Sequence, residues 1–432
     1  MSKICTIGLG YIGLPTSAIF AQYGSEVVGV DISRDIVEQI NAGKLHIKEP
    51  GLDEIVREVV ASGMFRASLV PESADAFIIA VPTPNLNDDN NSCDLSHVLK
   101  ATAQVIPHLQ KGNVLIIEST IAPRTMDDYI RPMVEKAGFL VGKDIYLVHC
   151  PERVLPGKIL HELVYNNRIV GGITPACAEA GERLYSLFVQ GEIIRTDAKT
   201  AEMSKLMENT YRDVNIALSN ELVQICHSLS IDALDVIKLA NNHPRVNLHQ
   251  PGPGVGGHCL AVDPYFIVSK APELSRMIRL ARKTNESMPE FVADRVAELL
   301  TGVEKPVVAV LGITYKADVD DIRESPALDV VTLLVKAGYE VRIHDSNVKT
   351  PIYRMMSIEE AARGAHMLLV LTDHQEIKSF QYEQVAASME LPMLFDTRNC
   401  IKTAADGKLQ VVNFGNLHQY IPLHKKENIT SA

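Results

Sequence analysis

No stretch of the 432-residue sequence reaches the roughly 18 uninterrupted apolar residues that a bilayer-spanning helix needs, so a membrane-embedded protein is not expected. Basic residues are in deficit. The 42 Lys and Arg face 53 Asp and Glu, a formal net charge of -11. That balance argues against a nucleic-acid surface or an anionic membrane as the main partner, and leaves room only for local basic pockets that hold a small anion. The amino terminus, MSKICTIGLGYIGLP, lacks the basic n-region, apolar h-region and small-residue cleavage site of a secretory signal. Cysteine is sparse and scattered: seven thiols, at 5, 93, 150, 177, 226, 259 and 400, show neither the even short spacings of a disulfide framework nor paired CxxC clusters. Reduced thiols in a cytoplasm and no metal site are expected, with one thiol a candidate for reactivity.

The length predicts two or three domains, and 46% hydrophobic with 22% charged residues is ordinary for chains that bury substantial cores. Strand-like and helix-like runs alternate from the start: a strand over 3–8, a helix over 14–23 closed by Gly24, a strand over 26–31, then apolar runs at 76–84, 114–120 and 144–152. From about Thr200 to Ala240 the apolar spacing turns to 3 and 4, which predicts a long, nearly unbroken helix. Gly and Pro then cluster in QPGPGVGGHC at 250–259, and another helix follows Met288. From Pro306 the alternation restarts: a strand over 307–316, a helix over 325–338 and a strand over 339–345, a weak internal repeat of the first segment. The expected fold is α/β, two Rossmann-like doubly wound lobes joined by a long central helix. The expected domains are 1–195, 196–300 and 301–432, with a frayed tail from Lys425.

Gly8-Leu9-Gly10-Tyr11-Ile12-Gly13 follows a strand, opens a helix and is followed by Asp31 at the end of the next strand. Gly8 permits the tight turn, Gly10 lets a pyrophosphate reach the backbone and Gly13 allows close packing, while the helix N-terminus favours phosphate. Asp31 is placed to accept from ribose hydroxyls and to repel a 2'-phosphate, which favours NAD; Arg34 keeps NADP open. In GVGGHCLAVDP, residues 254–264, the bare Gly256 and Gly257 leave room for a bulky substrate to reach Cys259. Nucleophile, structural cysteine and, with His258 and Asp263, metal ligand all remain open on spacing alone. Lys205 and Asn209 share one helix face, as a solvated surface or as a cation beside a reacting oxygen. Glu152 and Arg153 in CPERVLPG, His243 and Arg245 in HPRVN, and Lys316 and Arg323 in YKADVDDIRESPA are surface ion pairs or the contacts of a diphosphate ligand.

Taken together, GLGYIGLPT, VPTP, EST, CPERVLPG, AEMSKLMEN, HPRVN, GPGVGGHCLAVDP and DDIRESPA, in this order from residue 8 to 327, resemble the UDP-glucose/GDP-mannose dehydrogenase family, most closely its N-acetylmannosamine branch. The resemblance implies an NAD-dependent four-electron oxidation of a UDP-sugar at C6, a carboxy-terminal lobe that binds UDP, and a homodimer made through the central helix. It implies Cys259 as nucleophile, Lys205 managing oxyanion charge with Asn209 beside it, Asp263 and Thr120 organising water and the reacting centre, and Glu152 as acid/base. Substrate contacts would come from Arg153, Val154, Lys205, Asn209, Arg212, His243, Arg245, Val246, Gly256 and Lys316, with Arg245 reaching the neighbouring subunit's substrate. NAD contacts would come from Gly8, Gly10, Tyr11, Ile12, Gly13, Asp31, Thr83, Thr120 and Arg323. PERVLP stands where UDP-glucose enzymes carry PEFLxE, so Pro156 replaces their second glutamate and favours an N-acetylated sugar. UDP-N-acetylglucosamine or UDP-glucose oxidation, and a non-catalytic nucleotide-sugar sensor, are the alternatives.

Overall fold

The computed structural model describes residues 2–349, 352–402 and 407–421; the expected frayed tail from Lys425 lies outside them. Two compact units emerge, Met1–Glu208 with Tyr265–Leu274, and Asn209–Pro264 with Ser275–Ala432. Among the described residues no helix is long and apolar enough to cross a membrane.

The first unit is built on eight strands: β1 Lys3–Ile7, β2 Glu26–Val30, β3 Phe65–Ser68, β4 Ala76–Ile79, β5 Val114–Ile117, β6 Tyr146–His149, β7 Arg168–Gly172 and β8 Ile193–Asp197. Their order is β3-β2-β1-β4-β5-β6-β7-β8, parallel except for the β6–β7 pair. The first six follow the doubly wound order with its switch point between β1 and β4. Alternate residues of each strand feed opposite cores: Ile4 and Ile78 pack with Leu14, Ala18 and Phe20 on one face, whereas Cys5, Ile7, Phe77 and Ile79 pack with Val98, Val105 and Ile130 on the other. Burial on both faces explains why these strands read as unbroken apolar runs.

The second sheet contains β9 Val307–Leu311, β10 Glu340–His344, β11 Met367–Val370, β12 Met393–Asp396 and β13 Gln410–Asn413. The order β10-β9-β11-β12-β13 is the other doubly wound arrangement, with its switch point between β9 and β11. Val308, Val310 and Leu369 pack against Val223, Met288 and Val292 from two long helices, and Ala309, Leu311 and Leu368 against the opposite core. The α/β architecture with two doubly wound sheets and a long central helix thus matches expectation.

Two helix boundaries differ from it. The long helix runs Ala198–Leu229, then stops where Ser230 takes a φ of 58°; Asp232 caps a separate helix, Ala233–Ala240, by accepting from the N–H groups of Leu234 and Asp235. A side-chain cap satisfies the orphan donors of a helix start, so an apolar period that continues across it no longer means one helix. The next long helix begins at Arg276, twelve residues before Met288 by subtraction, and carries Pro289 within it.

Candidate functional site

In the first unit the turn after β1 is shaped by its glycines. Gly8 has a φ of +94°, and a Cβ there would lie 2.5 Å from the Ala80 carbonyl oxygen; a Cβ on Gly13 would lie 1.9 Å from the Gly8 oxygen. Both are required by the chain's own packing. Gly10 is different, because a Cβ there would meet nothing within 4 Å. The chain's own packing does not require a glycine there, and the open space would admit a pyrophosphate to the backbone. Helix Gly13–Gln22 begins directly behind the turn, and the positive end of its dipole would favour a phosphate there. The Asp31 carboxylate ends β2 and accepts from Leu9 N–H (3.1 Å) and Ser33 N–H (2.9 Å), which fixes a negative charge where a 2'-phosphate would have to sit. The Thr83 hydroxyl donates to the Thr120 carbonyl at 2.7 Å, joining the carboxyl ends of β4 and β5. These residues fit NAD.

Beyond β6 lies a buried charge cluster that the sequence reading missed. The Arg168 guanidinium donates to Glu152 at 2.8 Å and to the Cys150 sulfur at 3.5 Å, stands 3.5 Å from Glu118 and lies 4.5 Å over the Tyr185 ring. Tyr185 donates its hydroxyl proton to Glu118 at 2.5 Å. Burial pushes the Glu118 carboxyl up to about 7 against the opposing pull of Arg168. Breaking such a buried pair by removing one partner costs about 3–5 kcal/mol. The available signal was a charge inside an otherwise apolar strand: Arg168 opens RIVGG and Glu118 follows VLII. Glu152 is therefore held through both oxygens, the second accepting from Arg153 N–H at 2.7 Å. Arg153 itself pairs with Glu208 at 2.7 Å, and Val154 packs on the core beside it.

The cysteine loop belongs to the second unit. Cys259 is exposed, and its carbonyl accepts from Asp263 N–H at 2.8 Å and Val262 N–H at 3.1 Å, so the nucleophile candidate and Asp263 are held one helical turn apart. Asp263 opens the helix Asp263–Lys270 and accepts from the Asn209 amide at 2.6 Å, both side chains being buried. Lys205 precedes Asn209 by one turn of the long helix and is only 8% exposed, which rules out a solvated helix surface for it. Upstream, Asn220 accepts from Gly252 N–H at 2.9 Å and Ser219 donates to the His249 carbonyl at 2.6 Å, anchoring the loop to the same helix.

Gly256 and Gly257 are explained differently from the sequence reading. A Cβ on Gly256 would lie 2.0 Å from the Glu324 oxygen, and one on Gly257 would lie 2.5 Å from the Tyr315 ring. The space left by their absent side chains is taken by the protein's own loop between β9 and the helix Pro326–Lys336. Arg323 and His258 both bond to Asp321 in that loop, at 2.8 Å each to one oxygen. Burial opposes ionisation of Asp321, yet the hydrogen bonds from Arg323 and His258 hold its carboxyl well below the usual range.

At the switch point of the second sheet, Thr314, Lys316, Asp373 and Arg398 line a crevice closed by Pro253 and Gly254. Thr372 donates to the Thr314 carbonyl at 2.8 Å, and the Thr314 hydroxyl meets His374 at 3.1 Å. Ligands of open α/β sheets bind at such switch points, a rule that would have located Thr314, Asp373 and Arg398, none of which the sequence reading named. Lys316 was named and is there. Arg212, His243 and Arg245 are exposed, the last two stacked on one turn with Arg245 N–H donating to His243 at 3.3 Å; Val246 N–H donates to the His243 carbonyl at 3.0 Å.

A complete dinucleotide turn with an acidic strand end, a second nucleotide-type crevice and an exposed thiol beside a buried Asp–Asn pair define an NAD-dependent oxidoreductase with a second nucleotide-binding lobe. Family models agree over most of the length: the NAD binding domain of the UDP-glucose/GDP-mannose dehydrogenase family matches residues 2–189, its central domain 199–287 and its UDP binding domain 309–403. The chain belongs to that family. A UDP-N-acetyl-D-mannosamine dehydrogenase of Methanococcus maripaludis (strain C7) is 45% identical over 409 residues, 93% of this chain and 94% of its own. An NDP-N-acetyl-D-galactosaminuronic acid dehydrogenase of Ralstonia nicotianae is 45% identical over 408 residues, 91% and 95% of the two chains. The solved UDP-N-acetyl-mannosamine dehydrogenase of S. aureus has a TM-score of 0.91 at 53% identity, covering 97% of this chain and all of that one.

Proposed function

We propose that the chain oxidises the C6 alcohol of UDP-N-acetyl-D-mannosamine to the carboxylate, with Cys259 as covalent nucleophile. The observation that carries this is the exposed Cys259 locked by backbone hydrogen bonding to Asp263, whose carboxylate is held by buried Asn209. Gly10 and Asp31 would hold NAD, which would supply the hydride acceptor for each of the two oxidations. Tyr11, Ile12, Gly13, Thr83, Thr120 and Arg323 complete its site. The first oxidation leaves an aldehyde; the Cys259 thiolate adds to its carbonyl carbon, and the hemithioacetal loses the second hydride to become a thioester. Water then displaces the thiolate and releases the acid. Capture as a thiohemiacetal retains the aldehyde and supplies a tetrahedral carbon from which the second hydride leaves. The Lys205 ammonium stabilises the developing alkoxide, and in such a site one donor supplies about 3–4 kcal/mol. Glu152 moves the protons, with Thr120 and Asp263 ordering water. Arg153, Val154, Arg212, His243, Val246 and Lys316 hold the UDP-sugar, and exposed Arg245 reaches the substrate of a second subunit in a homodimer. The protein works in the cytoplasm.

The relative named for an N-acetylgalactosaminuronate favours a second reading, in which the sugar is the galactosamine epimer. A panel of UDP-sugars assayed for NADH decides between them: two NADH per N-acetylmannosamine sugar is expected, and faster turnover of the galactosamine sugar would select the alternative. Cys259→Ser should stall at an ester that hydrolyses slowly; two NADH per sugar at the normal rate in that variant would remove the cysteine from the chemistry.

A further inference from the structure

The loop that carries the nucleophile and the loop that lines the nucleotide crevice are interlocked within the second unit. Gly257 N–H donates to the Glu324 carbonyl at 3.2 Å, and the Gly256 backbone lies so close to Glu324 and Pro326 that no Cβ fits between them. The Tyr315 ring covers Gly257 and lies 6.2 Å from the His258 ring, edge to face. Tyr315 lines the crevice, as do Lys316 beside it in sequence and Gly254 from the cysteine loop. Tyr315 N–H also donates to the Asp321 carbonyl at 3.2 Å. A side-chain hydrogen bond between the two loops joins His258 Nε2 to Asp321 Oδ2 at 2.8 Å, one residue from the thiol. Asp321 is in turn immobilised by Arg323, which donates to it from its backbone N–H (3.0 Å), Nε (2.9 Å) and Nη2 (2.8 Å).

We infer that Asp321, acting through His258, is a positioning residue for Cys259, so that a nucleoside diphosphate seated in the second-lobe crevice fixes where the thiol stands. This rests on the proposed role of Cys259 and on the UDP binding domain. A ligand pressing on Tyr315 and Lys316 constrains the loop 312–325; the constraint reaches Gly257 through backbone contact and His258 through Asp321. Two packed loops with shared hydrogen bonds couple their order in this way, since a ligand that stills one reduces what is lost in stilling the other. The nucleotide half of the substrate would then help arrange the group that attacks its sugar half.

The test follows alkylation of Cys259 by iodoacetamide in the full-length protein, read by peptide mass spectrometry with and without saturating UDP, alongside UDP affinity by calorimetry. In the unsubstituted protein UDP should slow alkylation about fivefold or more, an ordinary size for coupling between two sites. His258→Ala should bind UDP with nearly unchanged affinity yet lose that response, and Asp321→Asn should behave alike. His258→Gln, which places a donor near the position of Nε2, should recover most of it. Full protection by UDP in His258→Ala would mean simple shielding of the thiol and would overturn the inference, as would alkylation indifferent to UDP in the unsubstituted protein. Since no sugar is oxidised in this assay, failure of the proposed reaction and failure of the coupling are read separately.

Discussion

In the first unit Gly8 N–H donates to the Val30 carbonyl at 2.8 Å and Leu9 N–H to the Asp31 carboxylate at 3.1 Å. In the second, Gly312 N–H donates to the His344 carbonyl at 2.8 Å and Ile313 N–H to the Asp345 carboxylate at 2.8 Å. The two turns share a plan, and Gly312 adopts a positive φ as Gly8 does. They part at the aspartate. Asp31 is half-buried, its bonds coming from two backbone donors. Asp345 is 3% exposed and also accepts from Thr314 N–H, Asn347 N–H and His374 Nε2. One turn keeps its carboxylate accessible to a ligand. The other commits the same carboxylate to the fold, and leaves ligand contact to the long loop inserted before Pro326.

That contrast is broken most severely by Asp345→Ala. It strips a buried anion from His374 and three backbone donors, and such losses cost about 3–5 kcal/mol. Faster hydrogen exchange in β9 and β10 should report it, because a chain of two compact units need not unfold in one step. An unchanged exchange pattern would place Asp345 with Asp31 as a spare carboxylate. Acid should act the same way. Burial opposes ionisation of Asp345, but the hydrogen bonds from His374 and Ile313 hold its carboxyl below the usual range. The stability it contributes is therefore present above about pH 4 and lost as pH falls further.

The first unit contains a carboxyl that titrates in the opposite sense. Glu202 accepts from Arg124 N–H at 2.6 Å and Met126 N–H at 2.9 Å, yet burial pushes it up from 4.5 to about 7. A carboxyl raised in the folded state contributes stability that is full below the unfolded value and is lost as pH rises through the folded one. The cost accumulates between about pH 4.5 and 7 and reaches about 3 kcal/mol. Glu202→Gln should flatten that part of the profile, even though an amide keeps only one acceptor for two donors and lowers stability at acid pH. Glu118 titrates in the same window, so some slope persists. A slope identical to the unsubstituted protein would show that Glu202 does not titrate there.

Asp31→Ala comes next in size for the fold, with two bonds to a half-exposed carboxylate at stake, about 1 kcal/mol of stability. Its effect on the ligand is larger. Loss of a charged acceptor for ribose hydroxyls should weaken NAD by about ten- to a hundredfold at 1.5–3 kcal/mol, measured as the KM for NAD. Equal damage to folding and to KM would erase the distinction between the two aspartates.

How much of this was legible beforehand follows from where the information sits. The glycine spacing of Gly8, Gly10 and Gly13 and the terminal Asp31 are local, so the turn could be read directly, as could the strands, whose two buried faces give unbroken apolar runs. The match of the second lobe to the first was visible as strand, glycine, helix and Asp345. Its different strand order was not, because order depends on which side each crossover takes. Arg168 binds Glu152 and Glu118 from 16 and 50 residues away, the second separation by subtraction, and no local pattern announces such a pair. Gly256 and Gly257 were read as room for a substrate, but what takes that room is Glu324 and Tyr315, 68 and 58 residues later in the chain by subtraction. Spacing can signal that room is needed without saying who occupies it.

Gly10→Ala should have the smallest effect on the fold and is the sharpest probe of the comparison. A methyl group there enters open space and the position has no positive φ, so stability should change by no more than about 0.5 kcal/mol, as at ordinary surface sites. Gly13→Ala, one helix start away, drives a Cβ to 1.9 Å from the Gly8 oxygen and should disturb the turn itself. If Gly10 is bare for the sake of the pyrophosphate, its alanine variant should fold normally, bind UDP normally in the second lobe and lose NAD affinity. NAD titration by fluorescence quenching and UDP titration by calorimetry separate these outcomes. Retained NAD affinity in Gly10→Ala would mean that the dinucleotide does not approach this backbone, and that the first turn, like the second, is shaped only by its own packing.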